Sequence, residues 1–159
     1  MKATGFQGIV LVLSAPPLPV HRVSNYSDAD DAIMIERRNP MITDKVGVDG
    51  KMAIFLSADR SGKITIKVFQ TSPSNKYLNQ VCQLAQGGPG TFVPIAVSFV
   101  DTYRNDRMVG LFGYVVKPAP AARGKDVKEQ SWEIIVEDLQ VLFGDPLFVG
   151  FATAAAEGQ

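Results

Sequence analysis

Apolar and polar side chains alternate with a two-residue period along most of this 159-residue chain. That period is typical of half-buried β-strands, whereas a helix repeats every 3.6 residues. The pattern predicts a mainly β fold, a barrel or a sandwich of about six to seven strands. The runs that carry it cover residues 8–14, 32–38, 51–58, 63–71, 93–103, 107–116 and 131–143.

Polar turns between neighbouring runs predict two hairpins. Strand 51–58 is expected to pair with strand 63–71 across "DRSG", where Gly62 can adopt a positive φ. Strand 93–103 is expected to pair with strand 107–116 across "RNDR".

One helical period interrupts the strands between Pro73 and Gln86, and "GGPG" follows it as a stop signal. The corner before the helix, "TSPSN", has the serine-rich character of phosphate-binding and nucleophile loops. However, no glycine lies between Ile64 and Gln86 to let backbone amides approach a phosphate. A helix start fits better, because Ser72 is a good N-cap, Pro73 suits the first helical position and Asn75 supports the first turn.

Two of the predicted strands are apolar on both faces. In strand 131–143 the apolar period shifts phase toward Leu139. Such strands are covered by a neighbouring subunit or by a second layer of their own chain, and the pattern leaves both readings open. Strict alternation in strand 107–116 places Met108, Phe112 and Tyr114 on one face and Val109, Leu111 and Val115 on the other.

Composition and charge narrow the class of protein. Sixteen Lys plus Arg balance sixteen Asp plus Glu, so no basic surface for nucleic acid is predicted and association of copies is favoured. The lone Cys82 excludes an internal disulfide. The apolar run 9–13 is too short for a bilayer span, which predicts one cytoplasmic domain over 1–159 with no membrane contact. The proline- and alanine-rich stretch 117–130 predicts an exposed loop.

Candidate catalytic and metal-binding groups are sparse. His21, the only histidine, has no nucleophile elbow to serve. The acidic segment 27–32 lacks the spacing and the glycine of a calcium loop. The glycines of a dinucleotide-binding loop stand directly before a helix, whereas no predicted helix follows those at 87–90. We therefore expect no enzyme, no cofactor and no metal site.

The order of these segments resembles a known family. An acidic loop, the segment "ERRNPMITDKVGVDG", a predicted hairpin, "QTSPSN" and an amphipathic helix follow one another as in the tail tube proteins of contractile-tailed bacteriophages. The resemblance covers most of residues 5–115 and, more loosely, the closing strand 131–143. This family is related in fold to the tube proteins of type VI secretion.

The resemblance implies a structural subunit of a phage tail tube. Its partners would be further copies of itself, in hexameric rings that stack into a hollow tube. A contractile sheath would lie outside, and baseplate and tail terminator proteins would bind the ends. The tape measure protein and, transiently, DNA would occupy the lumen. Such a protein is assembled in the bacterial host cytoplasm and resides in the tail of the virion.

The family also implies roles for particular segments. The four strands of the two predicted hairpins would form the barrel wall, with the helix outside, and the loop from Glu36 to Gly50 would reach a neighbouring subunit or ring. Alternatives in the same class are a baseplate tube-initiator ring and a terminator ring. Outside that class, a small-ligand-binding β-barrel and a hydrolase without a recognisable motif remain. The residues expected to carry the contact between subunits are Glu36, Arg37, Arg38, Asn39, Pro40, Met41, Ile42, Thr43, Asp44, Lys45 and Val46.

Overall fold

The computed structural model describes residues 8–16 and 18–144. Residues 1–7, Pro17 and 145–159, which the single-domain prediction includes, lie outside the described residues. The predicted helix over 73–86 is confirmed as α1. In chain order the elements are β1 (Ile9–Ser14), β2 (His21–Arg22), β3 (Ile33–Arg37), β4 (Ile42–Val46), β5 (Met52–Leu56), β6 (Gly62–Phe69), α1 (Ser74–Gln86), β7 (Ile95–Asp101), β8 (Asp106–Val115) and β9 (Glu129–Leu142).

Seven of the strands form one antiparallel sheet in the order β2-β1-β7-β8-β9-β6-β3. This sheet curls into half a barrel, while β4 and β5 form a separate two-stranded sheet. The prediction of a mainly β, barrel-like fold with one amphipathic helix is thus confirmed. The predicted hairpin over 93–103 and 107–116 is confirmed as β7 and β8.

The core lies between one face of the large sheet and α1. Along β6, Ile64, Ile66 and Val68 are buried, because successive side chains of a strand point to opposite faces. The apolar stripe of α1 closes the core from the other side with Leu78 and Val81. Each large apolar side chain buried in this way contributes about 1.5–3 kcal/mol. We call the sheet face turned away from α1 the open face. No helix in the described part of the chain is long and apolar enough to cross a membrane.

The predicted hairpin of strands 51–58 and 63–71 is wrong, because β5 and β6 do not pair with each other. Instead, β5 pairs with β4, and β6 pairs with β3 and β9. Gly62 explains the error. It lies inside the sheet opposite Val136, where an added Cβ would collide with the side chain of Leu139. This glycine permits close packing within the sheet and makes no turn.

The segment 36–50, predicted as a loop, contains the end of β3, all of β4 and most of the turn that leads to β5. β3 extends to Arg37 and β4 begins at Ile42 after a short bend. The turn that follows β4 is closed by a hydrogen bond from the amide of Gly47 to the carbonyl of Lys51 at 2.8 Å. The loop prediction fails because the polar residues at the centre of β4 hide its alternation.

A bulge in β8 changes which of its side chains face the core. The register between β7 and β8 shifts between Ile95 and Val97, and Phe112 adopts a φ of 55° there. Strict alternation predicts Val109 on the face opposite to Phe112 and Tyr114, which is wrong. The bulge leaves all three exposed, and no second layer of the described chain covers the open face.

Candidate assembly interface

β4 and β5 form a hairpin in which every strand residue is exposed. We call residues 42–56, with the turn between the two strands, the arm. A two-stranded hairpin is at best marginally stable alone in water. We therefore expect a surface outside this chain to cover the arm.

The large apolar side chains of the arm gather mainly on one of its faces. Directly opposed residues of an antiparallel pair share a face, and the register pairs Ile42 with Leu56 and Val46 with Met52. Leu56 is 79% exposed and Ile54 is 60% exposed. Contiguous exposed apolar surface of this kind marks an interaction site. We call this set the arm stripe: Ile42, Val46, Met52, Ile54 and Leu56.

A cluster of hydrogen bonds around Asp59 anchors the base of the arm. The amide of Ser61 donates to Asp59 Oδ1 at 2.8 Å, and Nδ2 of Asn39 donates to Asp59 Oδ2 at 2.6 Å. The bonds from Ser61, and next the bond from Asn39, lower the pKa of the Asp59 carboxyl from 3.8 to about 2. Arg37 donates from its guanidinium to the carbonyl of Leu139 at 3.1 Å, which ties the end of β3 to β9. The arm is thus anchored where it leaves the sheet.

A second apolar surface lies on the open face, beside the bulge of β8. Phe92, Phe112 and Tyr114 contribute to a groove of about 620 Å³, which we call the aromatic groove. Phe112 is 64% exposed and has the left-handed backbone conformation, which costs about 1–2 kcal/mol. A bulky side chain that is both strained and exposed indicates a position used for contact with another surface.

The large sheet ends in two edge strands. Among the described strands, β3 pairs only with β6 and β2 pairs only with β1. An edge strand presents a row of backbone N–H and C=O groups that another strand can pair with. The fold therefore offers one sheet edge on each side for contact with other chains.

The "TSPSN" corner joins the start of α1 to the segment that follows β2. α1 begins at Ser74, with Pro73 in the N-cap position and no side-chain hydrogen bond at that cap. Ser72 Oγ accepts the amide of Ser74 at 3.2 Å and donates to the carbonyl of Ser24 at 2.6 Å. Ser74 Oγ lies 2.8 Å from Nε2 of His21 and accepts the amide of Ser24 at 3.3 Å.

This serine–histidine pair has the spacing of a nucleophile and its base but lacks access. Ser74 is 0% exposed, and two partners already engage its hydroxyl oxygen. Burial lowers the pKa of His21 below 6.5, and the imidazole stacks on Tyr77 with 4.9 Å between ring centroids. The pair therefore holds β2 against α1. No group of three or more His, Cys, Asp or Glu residues is placed to hold a metal ion in the part of the chain that the structure describes.

Asn75, expected to support the first turn of the helix, links two strands in the structure. Its Nδ2 donates to the carbonyl of Phe69, at the end of β6, at 3.0 Å. Its Oδ1 accepts the indole Nε1–H of Trp132, in β9, at 2.9 Å. The start of α1 is thus fixed to the end of β6 and to β9.

Comparison with known proteins identifies the class to which this fold and its exposed arm belong. A family model described as the bacteriophage PhiTE tail tube protein matches residues 9–144. The chain belongs to this family. The tail tube family is structural, so the chain is a tail tube-like structural protein and not an enzyme. No curated protein matches the chain by sequence.

Solved structures similar to this tail tube protein come from contractile injection systems. The tube-terminating cap of the anti-feeding prophage matches with a TM-score of 0.53 at 10% identity, over 90% of this chain and 93% of that one. The sheath/tube terminator of the PVC extracellular contractile injection system in its extended state matches with a TM-score of 0.52 at 10% identity. The match covers 89% of this chain and 98% of that one. A chain of the six-fold symmetrised anti-feeding prophage baseplate matches with a TM-score of 0.53 at 10% identity. The match covers 89% of this chain and 97% of that one. At this identity the likeness concerns the fold alone.

The residues predicted to reach a neighbour fall into three parts of the structure. Residues 36–37 belong to β3, residues 38–41 form the bend before the arm, and residues 42–46 form its first strand. The sequence assigns the second strand of the arm, Met52–Leu56, to the barrel wall, which is wrong because β5 lies outside the large sheet. The Asp49-Gly50 dipeptide in the turn between the two strands is the hairpin signal that identifies it.

Proposed function

We propose that this tail tube protein is the repeating subunit of the tube, and that its copies form hexameric rings stacked into a hollow tube. The arm stripe carries the proposal. Its five large apolar side chains lie on one face of a hairpin and each remains more than half exposed. A neighbouring copy that covers them removes this apolar surface from water.

In the proposed assembly the arm and the bend at 38–41 contact the neighbouring subunit or ring. The aromatic groove is a further apolar surface that such packing would cover. When two different surfaces of identical chains bind each other, the rotation from one subunit to the next decides the product. If repeated rotations return to the first subunit, a ring forms, and otherwise an open filament grows. Pairing of β3 with the β2 side of the next subunit would continue the half barrel around the ring.

We propose that the part of the open face outside the aromatic groove lines the lumen, where the tape measure protein and then DNA would lie. The support is the pairing of its charges. Lys63 Nζ lies 3.3 Å from Glu133 Oε1, and Lys67 Nζ lies 2.9 Å from Asp31 Oδ1. Lysines neutralised by carboxylates release fewer counterions from DNA, so passing phosphates would be held weakly.

The remaining partners follow from the same proposal. A contractile sheath would surround the tube on the helix side, and baseplate and terminator proteins would bind its two ends. Assembly would take place in the bacterial host cytoplasm, and the finished tube would be part of the virion tail.

The second candidate function is a ring at one end of the tube. It is favoured by the fold likeness to a tube-terminating cap, a sheath/tube terminator and a baseplate chain. A repeating subunit adds ring upon ring, whereas a terminator or an initiator stops at a ring of its own.

Electron microscopy and sedimentation velocity of the purified full-length protein test the proposal over a range of concentrations. Tubes of many stacked rings are expected, with six-fold symmetry in end views. Single rings that never lengthen would favour the terminator or initiator. A chain that stays monomeric at high concentration would overturn both.

A further inference from the structure

A polar groove lies on the helix side of the molecule, between the start of α1 and the segment that joins β8 to β9. Its volume is about 320 Å³. Lys76 in the first turns of α1 and Arg123 in the joining segment both line it. No carboxylate is among the described residues of the lining, although Asp126 and Glu129 lie close by in sequence. The groove thus presents two cations with nothing acidic to pair them inside it.

Amide side chains form the rest of the polar lining, and part of their hydrogen-bonding capacity is unused. Gln70 Oε1 is shielded from solvent and has no hydrogen-bond partner. Gln130 is only 8% exposed and lines the same groove, while Asn79 lies exposed at its border. Because Gln70 Oε1 is shielded, the exposed amide of Asn79 is the group of this set that an incoming ligand can reach, and it can both donate and accept hydrogen bonds.

The opposite wall is formed by small side chains. Pro118, Ala119 and Ala121 leave the groove open to the close approach of another main chain. Peptide groups carry one donor and one acceptor per residue, which matches side-chain amides.

We propose that this groove binds an extended acidic peptide segment of a partner protein. Carboxylates of the segment pair with Lys76 and Arg123, and its backbone groups hydrogen-bond to the exposed side-chain amide of Asn79. A nucleic acid fits less well, because its binding requires a longer row of cations and the chain has zero formal net charge. The inference concerns the helix side and does not depend on how the arm assembles.

Trp132 provides a local probe of this groove. It is the only tryptophan of the chain, it lines the groove, and its indole donates to Asn75 there. A capped hexaglutamate peptide is titrated into the full-length protein at low salt, and both tryptophan emission and heat of binding are recorded. We expect a saturable signal in both, and none with a capped hexaglutamine peptide.

Two variants assign the signal to the groove. The double variant Lys76→Gln with Arg123→Gln should bind hexaglutamate about tenfold more weakly, since it removes two partly exposed ion pairs. The matched control Lys125→Gln removes a cation of the same segment outside the groove and should bind as the unaltered protein does.

Three outcomes would overturn the proposal. The first is no saturable binding of hexaglutamate by either measurement. The second is equal weakening by the control and the double variant, which would indicate diffuse attraction to a charged surface. The third is binding of an oligothymidylate at least as tight as that of hexaglutamate and equally sensitive to the double variant, which would assign the groove to nucleic acid. Tube assembly is recorded in parallel, and its failure leaves the peptide result interpretable.

Discussion

The arm stripe makes a quantitative prediction for assembly. Full burial of a leucine or isoleucine side chain contributes about 1.5–3 kcal/mol. In the single chain Ile54 is 60% exposed and Leu56 is 79% exposed, so most of their surface is still available to a partner. Covering both side chains in a subunit contact therefore contributes about 2–4 kcal/mol for each arm.

The double variant Ile54→Ser with Leu56→Ser removes that contribution. The critical concentration for assembly, measured by sedimentation velocity and electron microscopy, should rise by about 30- to 1,000-fold. The free energy of unfolding of the isolated subunit should change by less than about 0.5 kcal/mol for each substitution, because both side chains are exposed there. A large loss of subunit stability would mean that these side chains pack within their own chain.

Val127→Ser is the matched control. Val127 is an aliphatic side chain that is 53% exposed and lies between β8 and β9, away from the arm. It should leave the critical concentration unchanged. If the stripe variant assembles at the same concentration as this control, the arm does not carry the subunit contact and the reasoning is refuted.

Three further substitutions test the fold. Gly110→Ala should destabilise the subunit by about 1–3 kcal/mol in urea unfolding, since the added Cβ would lie 2.8 Å from Val136 Cγ1. Gly90→Ala is the control. Nothing lies within 4 Å of a Cβ added there, so this variant should have little effect on stability. Phe112→Asn should stabilise the isolated subunit by up to about 1 kcal/mol, because asparagine tolerates the left-handed backbone. The same variant should weaken assembly if a neighbouring copy covers the aromatic groove. Unchanged assembly would contradict that role for the groove. Burial lowers the pKa of His21 in the fold, so the unfolded chain binds its proton first and stability should fall as the pH drops through 6.5. His21→Gln should flatten this component of the stability curve between about pH 8 and pH 5, and an unaltered curve would exclude it.

The local parts of the fold could be predicted from the sequence. α1 has a clear stripe and a clear stop, and the β7–β8 hairpin has a polar turn between two apolar runs, so nearest-neighbour patterns determine both. The phase shift toward Leu139 in the last strand is also visible in the sequence, and that side chain is buried. These features depend on residues close together in the chain.

The pairing of distant strands could not be predicted. A glycine such as Gly62 can either form a turn or allow a side chain from another strand to approach, and the sequence alone does not distinguish these two roles. Only the position of Leu139 in the structure does so. Phe112 is similar, because nothing local indicates that an aromatic residue takes a positive φ. The sequence indicates only the first strand of the arm, because β5 is apolar at all five positions, as a buried strand of the barrel wall would be.

The order of the strands in the sheet has a consequence for how the subunit is made. β1 pairs mainly with β7, and Ile9 is paired with Asp101. The partner of Ile9 is therefore synthesised only after about 90 further residues. Leu11 and Leu13, which are 0% exposed in the fold, therefore leave the ribosome long before the strand that shields them. Pairings this distant in sequence form slowly, and the unpaired strand is open to aggregation meanwhile. The edge strands and their direct partners are thus made first, and the sheet that connects them is completed only when β9 has been made.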